Sequence, residues 1–340
     1  MVTGRFFLEI SPGEILCGWG PWAAAPEGCE WKIAVLPFKP LGDIRPRFLG
    51  ATRWEILTRE QLARTGIPGV PPPLQWSSSP PADFSRAFQD LQHLIRRGQA
   101  HKGVPFAWSQ APCADAVRLW EGFVSLVANI PAHLLVYGAQ GDDEAVIGAS
   151  PEWLFRIEGG KRVLHTMAVA ATRWPGQERA ANIDEKEHVE HRLVVDDIVA
   201  RLRPFGTVTT GATAWAPAGK LEHLKTAITL HAHTDLDAAK MLQVLHPTPA
   251  MGVFPRTAEA QNWLDTLPGH EIRADFAAPW VVEHRDGRAW ALVAIRQIRM
   301  RPDHLWIPAG CGVVAASEEE AEWNEIHAKI RTVKETWALA

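Results

Sequence analysis

The feature that most constrains this 340-residue chain is the order of its short β-type runs and amphipathic helical stretches, which do not alternate strictly. Strands are predicted over 5–10, 31–36, 47–57, 134–137, 145–148, 162–170, 280–283, 290–300 and 305–308, from continuous or alternating apolar character. Helical spacing is read over 84–98, 114–128, 184–202, 221–230, 235–245 and from Ser317 onward. Roughly a dozen strands mixed with seven or eight helices in this order argue for an α+β class.

A hydrophobic content of 46% supplies a substantial core, so the length is read as one large domain. Residues 1–82 read as its β-rich part, closed by a proline-rich connector over 67–81, and residues 83–340 as the region that carries chemistry. The net charge of -4 offers no overall attraction to nucleic acid or to acidic membranes. Cys17, Cys29, Cys113 and Cys311 form no C-x-x-C pair, which fits a reduced, cytoplasmic setting. No export signal and no apolar run of about 18 residues is read, so neither secretion nor a membrane span is expected.

The densest cluster of ionisable groups is D-E-K-E-H-V-E-H at 184–191, which runs directly into Leu193, Val194 and Val195. Asp184 and Glu187 have the spacing of a self-capped helix start, and Glu187 and Glu190 lie three apart on one face. On this segment alone a solvated first turn is the better explanation. At the other end of the chain, Ser317 and Glu320 repeat the capping spacing, and Glu322, Glu325 and Lys329 share a face. Two helices presenting carboxylates in this way can close on one Mg2+, a hard cation that takes oxygen ligands. The spacing His188, Glu190, His191 fits neither zinc-protease helix motif.

Other candidates lie between these helices. Lys102 opens a β-type run and Glu152 stands beside Pro151 at the mouth of another. His246 is followed by Pro-Thr-Pro, a rigid loop, and Arg296 interrupts a run that otherwise reads as buried, where a charge needs a partner. Gly310 and Gly312 free the backbone to approach an anion. Each also has an ordinary structural reading: an edge lysine, a polar strand start, a satisfied core histidine.

Taken in order, G-A-S-P-E at 148–152, D-E-K-E-H-V-E-H at 184–191, L-H-P-T-P-A at 245–250, A-I-R at 294–296, A-G-C-G-V-V at 309–314 and E-W-N-E-I-H-A-K at 322–329 resemble the chorismate-binding enzymes. That family contains isochorismate synthases, salicylate synthases and the first components of anthranilate synthases, and the resemblance covers about residues 90–335. It implies a two-sheet core covered by helices and Mg2+ as cofactor. It implies Glu190 and Glu325 as metal carboxylates, with Glu187 and Glu322 beside them. Thr172, His246, Arg296, Gly310, Gly312 and Lys329 are implied on the substrate chorismate. Lys102 matches the lysine that activates water in the enzymes that hydroxylate chorismate, and Glu152 matches the acid that protonates the leaving hydroxyl. Ala170 stands where aminodeoxychorismate synthases carry a nucleophilic lysine.

The resemblance therefore implies an isochorismate synthase, an isomerase feeding siderophore, menaquinone or salicylate synthesis. No amidotransferase subunit is expected, and the chain is expected to act as a monomer. The rival readings are a salicylate synthase or other lyase on chorismate, favoured against by Ala250-Met251, and a binding protein that kept the fold. Ala171, Ala277, Ala278 and Val281 stand where the family usually has glycine, bringing side chains to places where backbone would approach the substrate.

Overall fold

A computed structural model describes residues 4–38, 46–69, 73–173, 185–273 and 276–339, except for the side chains of residues 270 and 271. Two antiparallel sheets face each other. The first runs Arg53–Leu57, Glu14–Trp19, Arg5–Ser11, Leu135–Gln140, Ala145–Ser150, Gln297–Arg301, His304–Gly310, Phe106–Pro112 and Ser77–Ser78. The second runs Gly206–Thr210, Leu221–Ala232, Val163–Arg173, Trp153–Ile157, Ala289–Val293, Pro279–His284, Trp31–Val35, Leu49–Gly50 and Ala23–Ala24. Ala214–Ala218 also pairs with Leu221–Ala232.

Strand periodicity divides the core in two. Phe6, Leu8 and Ile10 turn to the interior between the sheets, where they meet Trp31, Tyr137, Trp153, Trp280 and Trp290. Phe6 stacks on Trp280 at 5.8 Å, and Tyr137 meets the same indole edge-on at 4.9 Å. Each such aromatic withdraws roughly 150–250 Å² from water, so this layer is a major source of cohesion. Phe7, Ile15 and Cys17 face the other way, into the larger core beneath the helices. The fold is α+β, one domain with helices covering a two-sheet core.

The chain passes from one sheet to the other twice in places that matter. Ser150, Pro151 and Glu152 join Ala145–Ser150 of the first sheet to Trp153–Ile157 of the second. Ala294, Ile295 and Arg296 join Ala289–Val293 of the second to Gln297–Arg301 of the first. The two crossings are clasped together: Ala149 N donates to the Arg296 carbonyl at 3.2 Å, Val293 N to that of Glu152 at 3.2 Å, and Ser150 Oγ to that of Val293 at 2.7 Å.

Several expectations need correction. Residues 221–230 form part of the strand Leu221–Ala232, not a helix. Leu221, Leu224 and Ile228 mimic a helical stripe, but the buried set Leu224, Thr226, Ile228 and Leu230 alternates, and Thr226 was the concealed member. The run 290–300 is two strands, broken where Arg296 takes φ of 56°. Residues 47–57 split between sheets as Leu49–Gly50 and Arg53–Leu57. The helix expected over 114–128 is Leu119–Ser125 flanked by short 3₁₀ turns. The capping box at Ser317 is absent: Glu318 is the cap residue, and Ser317 Oγ instead accepts from Val314 N at 3.0 Å. Asp184 lies outside the described residues.

Candidate active site

Two helices from opposite sheets meet over the crossings. Glu185–Leu202 packs on Val163–Arg173 and Leu221–Ala232 of the second sheet, and Glu319–Thr336 packs on His304–Gly310 and Phe106–Pro112 of the first. The first buries Glu190, whereas the second buries Glu322 and half-buries Glu325. Each carboxylate is met by a lysine. Glu190 Oε1 lies 3.4 Å from Lys102 Nζ, Glu322 Oε1 accepts from Lys186 Nζ, and Glu325 Oε1 lies 2.7 Å from Lys329 Nζ. Burial and the neighbouring Glu325 push Glu322 up to about 7, against the pull of Lys186. Burial also acts upward on Glu325, but Lys329, Lys186 and the Thr172 hydroxyl outweigh it and hold its pKa down.

Lys102 is wholly buried on the short strand Lys102–Gly103, which pairs with Val253–Phe254. Its ammonium donates to the Pro249 carbonyl at 2.7 Å, so the proline-rich loop after His246 enters the site through its backbone. Burial lowers the Lys102 pKa, opposed by Glu190 and aided by the charge of Lys329. Glu152, on the first crossing, is also buried, and burial pushes it up to about 8 against the attraction of Lys102, Lys225 and Lys329. Lys102 and Glu152 thus lie within electrostatic reach of each other, biased in opposite directions.

On the second crossing, Arg296 Nη2 donates to His223 Nε2 at 3.0 Å. The other ring nitrogen of His223 is 2.8 Å from the Ala171 carbonyl, which can only accept, so Nδ1 carries the proton and Nε2 is the acceptor. Burial and Arg296 keep this imidazole neutral, with a pKa down to about 3. Thr172 Oγ1 donates to Glu325 Oε1 at 2.9 Å, and Lys329 Nζ to the Gly310 carbonyl at 2.7 Å. Arg296, His223, Gly310 and Lys329 line a small cavity together with Met251 and Phe276. Arginine and lysine on a pocket with apolar walls suit a carboxylate carried on a small organic ring.

Of the residues proposed from sequence, Lys102, Glu190, Glu322, Glu325, Lys329, Thr172, Arg296, Gly310 and Gly312 come together here. Glu187, half-buried, is on the first turn of Glu185–Leu202. His246 faces elsewhere: its Nε2 is 3.0 Å from the Phe38 carbonyl, and burial lowers its pKa to about 3. The glycine-rich turn offers less than a full nest, because the amides of Cys311 and Val313 are used by the carbonyls of Pro105 and Gly103. Sequence reasoning missed His223, hidden in the presumed helix 221–230, and Lys186, visible in the charged cluster but not separated from its neighbours.

The donor set suits a hard cation, since Glu190, Glu322 and Glu325 offer carboxylate oxygens from two helices. Glu322 Oε2 is buried and has no hydrogen-bond partner among the described residues, an orphaned carboxyl oxygen of the kind a cation satisfies. With the side chains as they stand, no three His, Cys, Asp or Glu groups among the described residues are close enough to share an ion. The lysines take those positions. The residues present fit Mg2+ in chemistry, and closure onto it requires the carboxylates to turn from their lysine partners.

A salicylate biosynthesis isochorismate synthase of Pseudomonas aeruginosa is 31% identical over 210 residues, covering 59% of this chain and 43% of that protein. An anthranilate synthase component 1 of Saccharolobus solfataricus is 26% identical over 208 residues, covering 57% of this chain and 48% of that protein. The chain thus spans about half the length of these curated relatives. The structure of the menaquinone-specific isochorismate synthase of Escherichia coli superposes with a TM-score of 0.81 at 19% identity, covering 97% of this chain and 88% of that one. Among the described residues no helix is long and apolar enough to cross a membrane. The family profile for chorismate binding enzyme matches residues 53–335, and the chain belongs to that family.

Proposed function

We propose that this chain converts chorismate to isochorismate, adding hydroxyl at C2 and losing the C4 hydroxyl. The observation that carries the reading is the joint burial of Lys102 and Glu152, the amine biased toward its neutral form and the acid toward its protonated form. A base that must take a proton from water and an acid that must give one to a leaving hydroxyl need these opposite shifts. The Pseudomonas relative and the Escherichia coli structure, both named as isochorismate synthases, support the same reading.

Neutral Lys102 takes a proton from water as the hydroxyl bonds to C2. Both conjugated ring double bonds shift by one position, the C4–oxygen bond breaks, and the Glu152 proton goes to the departing oxygen. One water enters and one leaves, and Lys102 ends with a proton equivalent to the one Glu152 gave up. Arg296, oriented by neutral His223, pairs with a substrate carboxylate in the cavity beside Lys329. Glu190, Glu322 and Glu325, with Glu187 beside them, would hold Mg2+, which when bound supplies a fixed positive charge for the other carboxylate. Met251 and Phe276 exclude water from that side of the ring.

No ammonia enters this reaction, so the enzyme works without an amidotransferase subunit, and we assign the monomer as the working unit. Purified protein incubated with chorismate and Mg2+, without ammonium, is expected to give isochorismate by chromatographic separation. Salicylate with pyruvate would reassign the chain as a lyase. Absence of any consumption, with chorismate still bound, would support a protein that kept the fold for binding alone.

A further inference from the structure

Of the three lysines among the site carboxylates, two also bond a main-chain carbonyl among the described residues. Lys102 bonds the Pro249 carbonyl and Lys329 the Gly310 carbonyl. Lys186 stands on the first turn of Glu185–Leu202, one turn before Glu190, and its ammonium rests on Glu322. Glu190 and Glu325 act on it as well, and together with Glu322 they hold its pKa above that of a free lysine despite burial. Its charge therefore lies within the field of all three carboxylates.

Glu322 shows why such a charge is needed. Its side chain is only 1% exposed, and Oε2 has no hydrogen-bond partner among the described residues. Three buried or half-buried carboxylates that repel one another would destabilise the folded protein without a cation among them. A lysine on a flexible stem can fill that need and then withdraw toward solvent, since the Lys186 side chain retains 27% exposure.

We propose that Lys186 is a tethered counter-ion of the carboxylate cradle: it balances Glu322, Glu190 and Glu325 when no metal is bound, and its positive charge competes with the divalent cation and sets its affinity. The inference rests on the reading that this cradle takes Mg2+. It is independent of the reaction performed, because the competition is between two cations for the same oxygens. The cradle then never stands as an uncompensated cluster of negative charge, and the cost is weaker metal binding.

The test is Mg2+ titration of chelator-treated protein by calorimetry at pH 8.5, with thermal unfolding of each form in chelator and in saturating Mg2+. Lys186→Met and Lys186→Gln remove the charge, and Lys186→Arg keeps it. Both neutral variants should bind Mg2+ at least about tenfold more tightly than the parent, as removal of a nearby like charge predicts. Lys186→Arg should stay within about threefold. In chelator, Lys186→Met should melt below the parent, and Mg2+ should raise its Tm by more. Saturable binding in the parent with equal or weaker binding in both neutral variants would overturn the inference and leave the metal reading intact. No saturable binding in the parent would remove the metal reading, and the inference with it.

Discussion

Gly312 and Glu190 occupy one space: a Cβ placed on Gly312 would lie 1.9 Å from Glu190 Oε1 and 2.9 Å from Lys102 Cε. The carboxylate and the amine meet only because residue 312 has no side chain. Gly312→Ala should therefore displace Glu190 and Lys102 while leaving the sheets intact. Turnover should fall by at least about 100-fold, the scale seen when a catalytic constellation is displaced by about 1 Å. Circular dichroism would check the fold. An alanine variant with parental kinetics would show that Glu190 does not work in the position described.

Lys102→Met and Glu152→Gln should each slow turnover while retaining chorismate binding, because neither side chain is assigned to a substrate carboxylate. The expected loss is about 10²–10⁴-fold for removal of one proton-transfer group. Equilibrium dialysis with chorismate separates binding from chemistry. Parental rates in either variant would remove its assigned role.

Glu152 also links stability to pH. Its folded pKa of about 8 lies above the ordinary carboxylate value of 4.5, so the folded state binds its proton more tightly than the unfolded state does. This contribution is complete below about 4.5 and is lost as pH rises through about 8. Glu152→Gln, which mimics the protonated acid, should therefore gain stability relative to the parent between pH 5 and pH 9. Urea unfolding at those two pH values measures the difference, and a gap that does not widen with pH would contradict the shift.

His223→Leu deprives Arg296 Nη2 of its buried acceptor. Losing a hydrogen bond to a charged group costs about 1.5–3 kcal/mol, so KM for chorismate should rise roughly 10- to 100-fold. The effect on kcat should be smaller, because His223 does not touch the reacting carbons. A fall in kcat alone, at constant KM, would place His223 in the chemistry instead.

Ala277 holds φ of 62° with its side chain fully buried. Ala277→Val should destabilise the protein by at least about 2 kcal/mol, since a β-branched side chain is a strong outlier there. Ala277→Gly should stay within about 1 kcal/mol, because relief of strain is offset by the greater unfolded-state freedom of glycine. Denaturant midpoints compare the two.

Arg296 was legible as a charge in an otherwise apolar run, whereas the carboxylate cluster, Lys102 and Glu152 had ordinary local readings and were singled out by the order of motifs that carries the resemblance. Two of the four positions where the resemblance implies glycine take the backbone shape that glycine favours. Ala171 and Ala277 do hold positive φ, of 58° and 62°, so the backbone shape persists without the residue that most easily adopts it. What was not legible depended on tertiary partners. His223 was lost because Leu221, Leu224 and Ile228 repeat at helical spacing, and only the neighbouring strands Val163–Arg173 and Gly206–Thr210 reveal Leu221–Ala232 as sheet. His246 drew notice for its rigid loop, yet that loop offers the Pro249 carbonyl to Lys102 and turns the imidazole to Phe38. The pairings Lys102–Glu190 and Lys186–Glu322 join separate elements and have no local trace, whereas Glu325 and Lys329 pair within one helix.

The clasped crossings at Ser150–Glu152 and Ala294–Arg296 have a consequence for folding. Glu152 and Arg296 are spaced by main-chain bonds between two sheets, so neither half of the sandwich can assemble their geometry before the other has docked. The amides of Ala149 and Val293 should consequently exchange with solvent only on global unfolding, and loss of the site should coincide with loss of the molecule. A partly folded chain would carry all the reactive residues and still be inert.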